Sequence, residues 1–335
     1  MIDIVIHVGL PKTATTLIQK KMSEFPNYVG LESAEADYTL ELLNIYANYS
    51  FGMDVEEELK GWAGRISNYA LINNIVAPLV VSSEFFFAGE FTGAPEFPLI
   101  DEDKSSGSLK LVHFIEFIAH SLRDKFKIRV LLTIRNQLEW LASKYAQAAP
   151  KIYNASQVDF ERRIDRYSKL DNKFWCDWGG AVQSFDEAIG RDNVTVLCME
   201  DMGKEDFWES LSLIFTGTTY SIKPGKSSTN ALASVNKKRR SLTEWSCGAF
   251  EFGSCLAKKY RAPPGSLKHR LIVRSGNILS RIGLVSDSRR EDHIFLSTKI
   301  KSQVGSYCAR NNLWLEKRLN KDLREIGYPV LRVKD

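Results

Sequence analysis

The sequence contains few of the residue patterns from which metal centres and disulfide frameworks are built. Its 335 residues include five widely spaced cysteines with no C-x-x-C pair, and five histidines with no H-E-x-x-H pair. An odd number of scattered cysteines argues against a disulfide framework or a zinc knuckle, and it favours reduced, buried thiols. We therefore expect no metal cofactor.

Long apolar runs and a strong net charge are also missing. No run reaches the roughly 18 apolar residues of a membrane span, and the opening residues, MIDIVIHV, have the pattern of a strand and not of a signal peptide. A formal net charge of +4 is too small to indicate nucleic-acid binding. These absences predict a cytoplasmic protein with no membrane span and no nucleic-acid partner.

Strand and helix patterns alternate through the first 220 residues. Strands are predicted at 2–8, 75–82, 128–134 and 194–199, and helices at 15–25, 108–125, 137–149 and 178–190. This alternation predicts an α/β fold with an open parallel sheet flanked by helices on both faces. No strand pattern follows residue 220, so we expect a mainly helical C-terminal extension over 221–335, ending in a helical pair near 291–326. One domain, 1–335, holds both parts.

The connection after the first strand has the composition of an anion-binding loop. Residues 9–16 read GLPKTATT and lead directly into a helix. A strand, a short loop and a helix in this order direct backbone N–H groups and the helix N-terminus at one point. The threonines at the start of the helix can cap it and donate hydroxyl hydrogen bonds, and Lys12 adds a mobile positive charge.

This loop differs from the loop of nucleotide-triphosphate-binding proteins, G-x-x-x-x-G-K-[ST], because Ala14 and Thr15 replace its second glycine and its lysine. The segment instead resembles P-K-[ST]-G-T-T, the 5′-phosphosulfate loop of sulfotransferases that use 3′-phosphoadenosine 5′-phosphosulfate (PAPS). Ala14 is the one departure from that motif. The resemblance implies that the following residues bind the donor: Gly9, Pro11, Lys12, Thr13, Ala14, Thr15 and Thr16.

A second segment, at the end of another predicted strand, agrees with the first. Residues 135–145 read RNQLEWLASKY. Arg135 stands at the carboxyl end of the strand, where ligands of open α/β sheets bind, and Asn136 and Ser143 lie two helical turns apart on one face. The segment resembles the 3′-phosphate motif of the same family, R-[DN]-P-x-x-R-x-x-S-x-Y, with departures at the third and sixth positions. The resemblance implies that Arg135 and Ser143 bind the 3′-phosphate.

Weaker resemblances extend over most of the chain. Residues 198–202 (CMEDM) are similar to the Y-E-D-L strand end of the family, and residues 228–234 (STNALAS) to a loop that closes over the adenosine, which implies a donor contact by Asn230. Residues 307–329 resemble the C-terminal helices of bacterial carbohydrate sulfotransferases. The family resemblance implies a PAPS-dependent P-loop-type enzyme that sulfates a carbohydrate or polysaccharide, releases 3′-phosphoadenosine 5′-phosphate (PAP) and needs no metal.

The resemblance implies two catalytic groups, a lysine and a carboxylate. By resemblance, Lys12 neutralises the charge that develops as PAP leaves. For the general base, Glu84 follows a strand, has phenylalanines as neighbours and resembles an S-S-E segment of bacterial sulfotransferases. Glu32 and Glu35 are alternatives, because heparan-type sulfotransferases place a catalytic glutamate after the first helix. His113 fits a surface or core position better.

Other interpretations stay open at this point. The chain could be a P-loop nucleotide kinase, or a nucleotide-binding or scaffold protein that has the same fold without the chemistry. Acceptor contacts are expected from loops at 30–70, 85–107 and 150–176. The basic and apolar stretch 269–285 either packs on the core or touches a membrane to reach a lipid-linked glycan.

Overall fold

Four strands form a parallel sheet in the computed structural model of the protein. The structure describes residues 1–9, 13, 15–31, 33–83, 86, 107–152, 155–168, 176–217, 244–247, 267–281 and 291–331. The strands of the sheet are β1 (Ile2–Gly9), β2 (Leu79–Ser83), β3 (Phe126–Ile134) and β4 (Val194–Cys198), in the order β2-β1-β3-β4. A separate antiparallel pair consists of β5 (Glu244–Ser246) and β6 (His293–Phe295). The predicted α/β class with a parallel sheet is confirmed.

Ten α-helices occur among the described residues. They are α1 (Thr15–Met22), α2 (Ala36–Ser50), α3 (Glu56–Ile72), α4 (Gly107–Ser121), α5 (Gln137–Ala148), α6 (Gln157–Ser168), α7 (Trp178–Ile189), α8 (Glu205–Thr216), α9 (Leu267–Arg281) and α10 (Thr298–Leu319). Short 3₁₀ turns at Ala149–Lys151, Arg191–Asn193 and Met199–Asp201 join some of them to their neighbours. None of the helices in these ranges has the length and apolar character that crossing a membrane requires.

Helices cover the sheet on both faces and enclose two hydrophobic cores. On one face, Ile4, Ile6 and Val8 of β1 belong to the larger core, to which α2 through α7 and α10 contribute. On the other face, Val5 belongs to a smaller core formed with α1 and α8. A parallel sheet that is buried on both faces reads as a nearly continuous apolar strand sequence, as β1 and β3 do. Because helices cover both faces of the sheet, we expect a ligand at the ends of its strands.

The order of the strands reverses between β1 and β3. After β1 the chain adds β2 on one side, and after β3 it adds β4 on the other side. β1 and β3 are themselves neighbours, with Gly9 paired to Thr133 at the carboxyl end. In open α/β sheets the ligand crevice lies outside the carboxyl ends of the two strands at such a reversal. Both segments predicted to bind anions begin at this place.

Several predictions for the second half and the loops are wrong. Strands do follow residue 220, because β5 and β6 have only three residues each, too few to show an alternating pattern. The predicted helical pair at 291–326 is therefore one short strand and one helix, α10. Residues 30–70 and 150–176 contain α2, α3 and α6 and are not continuous loops. Leu59, Trp62 and Ile66, which are buried at helical spacing in α3, are the signal that predicts it.

Two element boundaries also shift for local reasons. β2 begins at Leu79 and not at residue 75. Pro78 has no N–H to donate to a sheet ladder and precedes the strand for that reason. α1 ends at Met22, three residues before the predicted end, and residues 28–29 then run beside β2, where Tyr28 pairs with Val80.

Candidate functional site

The end of β1 lies in close contact with the start of α1. A Cβ atom added at Gly9 would come within 2.0 Å of Cγ2 of Thr15, so a glycine is needed at this approach. Thr15 is buried, whereas Thr16, in the same first turn of α1, is exposed. The first turn of α1 carries no acidic residue, so no side chain there offsets its positive end. The structure thus places the start of α1 at the carboxyl edge of the sheet.

Thr13 links the predicted 5′-phosphosulfate loop to the neighbouring strand. Its side chain is fully buried, and its Oγ1 lies 2.9 Å from Oγ1 of Thr133 in β3. Thr133 is the register partner of Gly9 and stands two residues before Arg135. The hydroxyl pair therefore joins the loop to the strand that ends in the predicted phosphate-binding arginine. Because this hydroxyl faces the sheet, it has a structural role in addition to the donor contact predicted for it.

A buried polar network lies beneath the loop. Nδ1 of His7 is 2.8 Å from Oγ of Ser82 in β2, and Gln19 of α1 donates to the same oxygen at 3.2 Å. Nε2 of His7 is 3.5 Å from Oγ1 of Thr133, a long contact that brings the Thr13–Thr133 pair next to the network. Burial lowers the pKa of His7 to about 4, so the imidazole is neutral at neutral pH.

Sequence reasoning missed this network. Its signal is a set of polar residues on strand positions that are otherwise apolar, namely His7, Ser82 and Thr133. Buried polar groups are almost always hydrogen-bonded to one another or to the backbone. Polar residues near the carboxyl ends of three predicted parallel strands therefore indicate a shared network at one edge.

Arg135 lies at the predicted position, immediately after β3. It is 1% exposed, and its Nη2 donates to Oε2 of Glu139 at 2.9 Å, one turn further along α5. Its backbone carbonyl accepts a hydrogen bond of 2.7 Å from the indole of Trp178. A guanidinium carries five N–H donors, so a carboxylate and a phosphate oxygen can share it. Ser143 is half-buried and lies about 10 Å along the helix axis from the start of α5.

Asn136 caps α5 and connects its start to two other parts of the chain. Its side-chain oxygen caps the helix by accepting from the N–H of Leu138 at 2.9 Å. Its own N–H donates to Oε1 of Glu200 at 2.7 Å, and its side-chain amide donates to the carbonyl of Gly327. The second position of the predicted 3′-phosphate motif therefore fixes the backbone next to Arg135.

Glu200 is a half-buried carboxylate at this junction, in the 3₁₀ turn after β4. Besides the N–H of Asn136, it accepts a hydrogen bond of 3.1 Å from the hydroxyl of Tyr328. Burial raises the pKa of Glu200, although these hydrogen bonds and the positive charge of Arg135 act in the opposite direction. Sequence reasoning named this segment only as a weak resemblance, and its role became visible from the fold.

The C-terminal part of the chain packs against the same junction. The side-chain amides of Gln137 and Asn312 exchange hydrogen bonds of 2.8 and 3.2 Å, and Asn312 also donates to the carbonyl of Pro329. Both amide side chains are fully buried. Residues 198–202 and 307–329, which show only weak sequence resemblances, therefore meet the β3–α5 connection in space.

The structure describes one of the three carboxylates considered as a general base. Glu35 is half-buried and directly precedes α2. It lies close enough to Tyr69 that its charge adds to the effect of burial in raising the pKa of that hydroxyl. No described contact joins Glu35 to Gly9 or Arg135. Six predicted site residues lie outside the described residues: Pro11, Lys12, Ala14, Glu32, Glu84 and Asn230.

Comparison with known proteins adds no further constraint on the function. No family model, no curated protein and no solved structure matches this chain. The function must therefore be argued from the site and from the motifs that the site brings together.

Proposed function

We propose that the protein is a PAPS-dependent sulfotransferase with a P-loop-type donor site, acting on a hydroxyl or amine of a carbohydrate acceptor. The observation that carries the proposal is the contact between Thr13 and Thr133. It connects the first motif to the strand that leads into the second motif, more than a hundred residues further along the chain, and each motif is typical of one end of PAPS.

The spacing of the two motifs suits a ligand with two anionic groups. Neighbouring strands lie about 4.8 Å apart, and a strand advances about 3.3 Å per residue. Gly9 pairs with Thr133, and Arg135 follows two residues later. The Cα atoms of Gly9 and Arg135 are therefore about 8 Å apart on this estimate. The start of α1 and the guanidinium can then contact the two ends of one nucleotide.

The described residues fit such a ligand at both ends. At the 5′ end, the close approach of Gly9 to Thr15 brings the end of β1 against the first turn of α1, in which Thr16 is exposed. At the 3′ end, Arg135 supplies a buried positive charge that Glu139 partly neutralises. A phosphate that binds there has to share the guanidinium with this carboxylate, which moderates its affinity.

PAPS would supply the sulfuryl group in this site. Lys12 then stabilises the negative charge on the oxygen that departs with PAP, an effect typical of transfer reactions that depend on positioning and charge. A carboxylate accepts the proton that the acceptor loses as its oxygen or nitrogen bonds to sulfur. Glu84, Glu32 and Glu35 are the candidates for this carboxylate.

Nucleotide binding separates this proposal from its alternatives. The full chain is titrated by calorimetry with PAP in the presence of a chelator, and separately with ATP and magnesium. We expect PAP to bind without metal and to raise the melting temperature, because it binds the folded state selectively. Binding of ATP that requires magnesium indicates the kinase alternative, and binding of neither nucleotide indicates a scaffold protein. Incubation with labelled PAPS and a panel of glycans then identifies the acceptor.

A further inference from the structure

Helix α9 carries an apolar stripe on its outward side. Leu267, Leu271 and Ile278 are 71%, 56% and 50% exposed. Their spacing of four and seven residues puts them on one face of the helix. Gly276, on the opposite side of the helix, is buried. The apolar stripe therefore faces away from the protein, whereas a helix that covers a core turns its apolar face inward.

Cationic side chains accompany this stripe. Lys268, Arg270 and Arg274 are exposed, and residues 267–281 contain no aspartate or glutamate. Arg274 falls between Leu271 and Ile278 on the same face. Long cationic side chains can extend their charged ends past neighbouring apolar residues towards a polar surface. The outward side of α9 therefore combines apolar groups from Leu267 to Ile278 with positive charge from Lys268 to Arg274.

We propose that α9 docks on the surface of an anionic lipid membrane and lies parallel to it, with Leu267, Leu271 and Ile278 inserted at the boundary of the headgroups. A helix with an apolar face flanked by Lys and Arg binds such interfaces through both features. A soluble polyanion would need the positive charges alone and leaves the three apolar side chains in water. This docking is independent of the proposed sulfotransferase activity, and it would bring the protein to lipid-linked acceptors.

Vesicle binding tests the docking with the full-length protein. Cosedimentation is measured with vesicles of phosphatidylcholine alone and with vesicles of phosphatidylcholine and phosphatidylglycerol in equal parts. One variant carries Leu267→Ser, Leu271→Ser and Ile278→Ser. Another carries Lys268→Gln and Arg274→Gln. We expect the anionic vesicles to be bound more tightly, because each cationic residue near an anionic membrane surface strengthens binding about fivefold.

Matched substitutions elsewhere control for general effects. Leu71 and Ile72 at the end of α3 and Val76 shortly after it are also exposed and have no charged residue among them, so their triple change to Ser is the apolar control. Arg123→Gln with Lys125→Gln is the charge control, since both residues are exposed. Circular dichroism melts of all variants verify that they fold, which exposed positions should permit.

The outcomes distinguish the lipid surface from other occupants of this face. We expect the α9 apolar variant to lose at least about tenfold in binding to anionic vesicles, the α9 charge variant about 25-fold, and both controls to bind like the wild type. Absence of binding to anionic vesicles at low ionic strength overturns the proposal. It is also overturned if the apolar variant binds as well as the wild type, because simple attraction to a polyanion then suffices. If light scattering shows a dimer that the apolar variant abolishes, a second copy covers the stripe instead.

Discussion

If the protein binds PAP as proposed, the contact between Thr13 and Thr133 should affect how tightly PAP binds. Thr133→Val removes the Oγ1 that lies 2.9 Å from Thr13 and leaves a β-branched side chain of nearly the same shape in β3. The strand therefore keeps its packing while the connection between loop and strand is lost. Thr133→Ser keeps the hydroxyl and should restore the connection.

The expected magnitudes follow from the burial of this pair. A hydrogen bond contributes about 0.5–1.5 kcal/mol to stability. With an unfolding entropy of about 2.1 cal/mol/K per residue, a loss of about 1 kcal/mol lowers the Tm of this 335-residue chain by only about 1–2 °C. If the same contact holds the loop in its binding conformation, PAP affinity falls by a similar free energy, or about fivefold.

Calorimetric titration with PAP, beside thermal melts, measures both effects. Thr39→Val is the matched control, because Thr39 is fully buried and its hydroxyl donates to the carbonyl of Val29, away from the loop. We expect this control to lose stability and to keep its PAP affinity, whereas Thr133→Val loses both. Wild-type PAP affinity in Thr133→Val would refute the idea that the hydroxyl pair organises the donor loop.

Three further substitutions test other parts of the site. Gly9→Ala should lower the free energy of unfolding by about 1–3 kcal/mol, because the added Cβ would overlap Cγ2 of Thr15. Adding Thr15→Ser, which removes Cγ2, should recover most of that loss in urea unfolding. If it does not, the overlap is not the cause. Burial raises the pKa of Glu200 above 4.5, the ordinary value of a glutamate, so the wild type should lose stability as the pH rises above 4.5 and the carboxylate ionises. Glu200→Gln has no such group and should become more stable relative to the wild type over the same range. Melts across the pH range measure this difference, and a constant difference would contradict it. Lys12→Ala should lower turnover more than PAP affinity, because the charge of Lys12 acts mainly on the departing oxygen. Equal losses of turnover and of PAP affinity would show that Lys12 only binds the nucleotide.

The sequence predicts the elements around the site well where local signals are strong. β3 and α5 are found within two residues of their predicted bounds, because β3 is mostly apolar and Asn136 has the side chain of a helix cap. The position of Arg135 at the carboxyl edge follows from these two elements. The reversal of strand order between β1 and β3 is a property of the whole sheet, and no local sequence pattern predicts it.

The contacts that assemble the site are less predictable because they join distant parts of the chain. Asn136 and Gly327 are 191 residues apart, and Gln137 and Asn312 are 175 apart. Side-chain amides and carboxylates at such positions show no periodicity, so their partners are determined only when the helices pack. The convergence of Glu200 and Tyr328 on the β3–α5 connection is of the same kind.

The most direct test of a donor site at this edge is the binding of two nucleotides to Arg135→Ala. PAP carries a 3′-phosphate and adenosine 5′-phosphosulfate does not, so only PAP can use the guanidinium through that group. Loss of a charge-assisted hydrogen bond costs about 1.5–3 kcal/mol, which corresponds to about a tenfold to hundredfold weakening. Calorimetry should show this loss for PAP and nearly unchanged affinity for adenosine 5′-phosphosulfate. Equal weakening of both nucleotides, or of neither, would contradict the assignment of Arg135 to the 3′-phosphate.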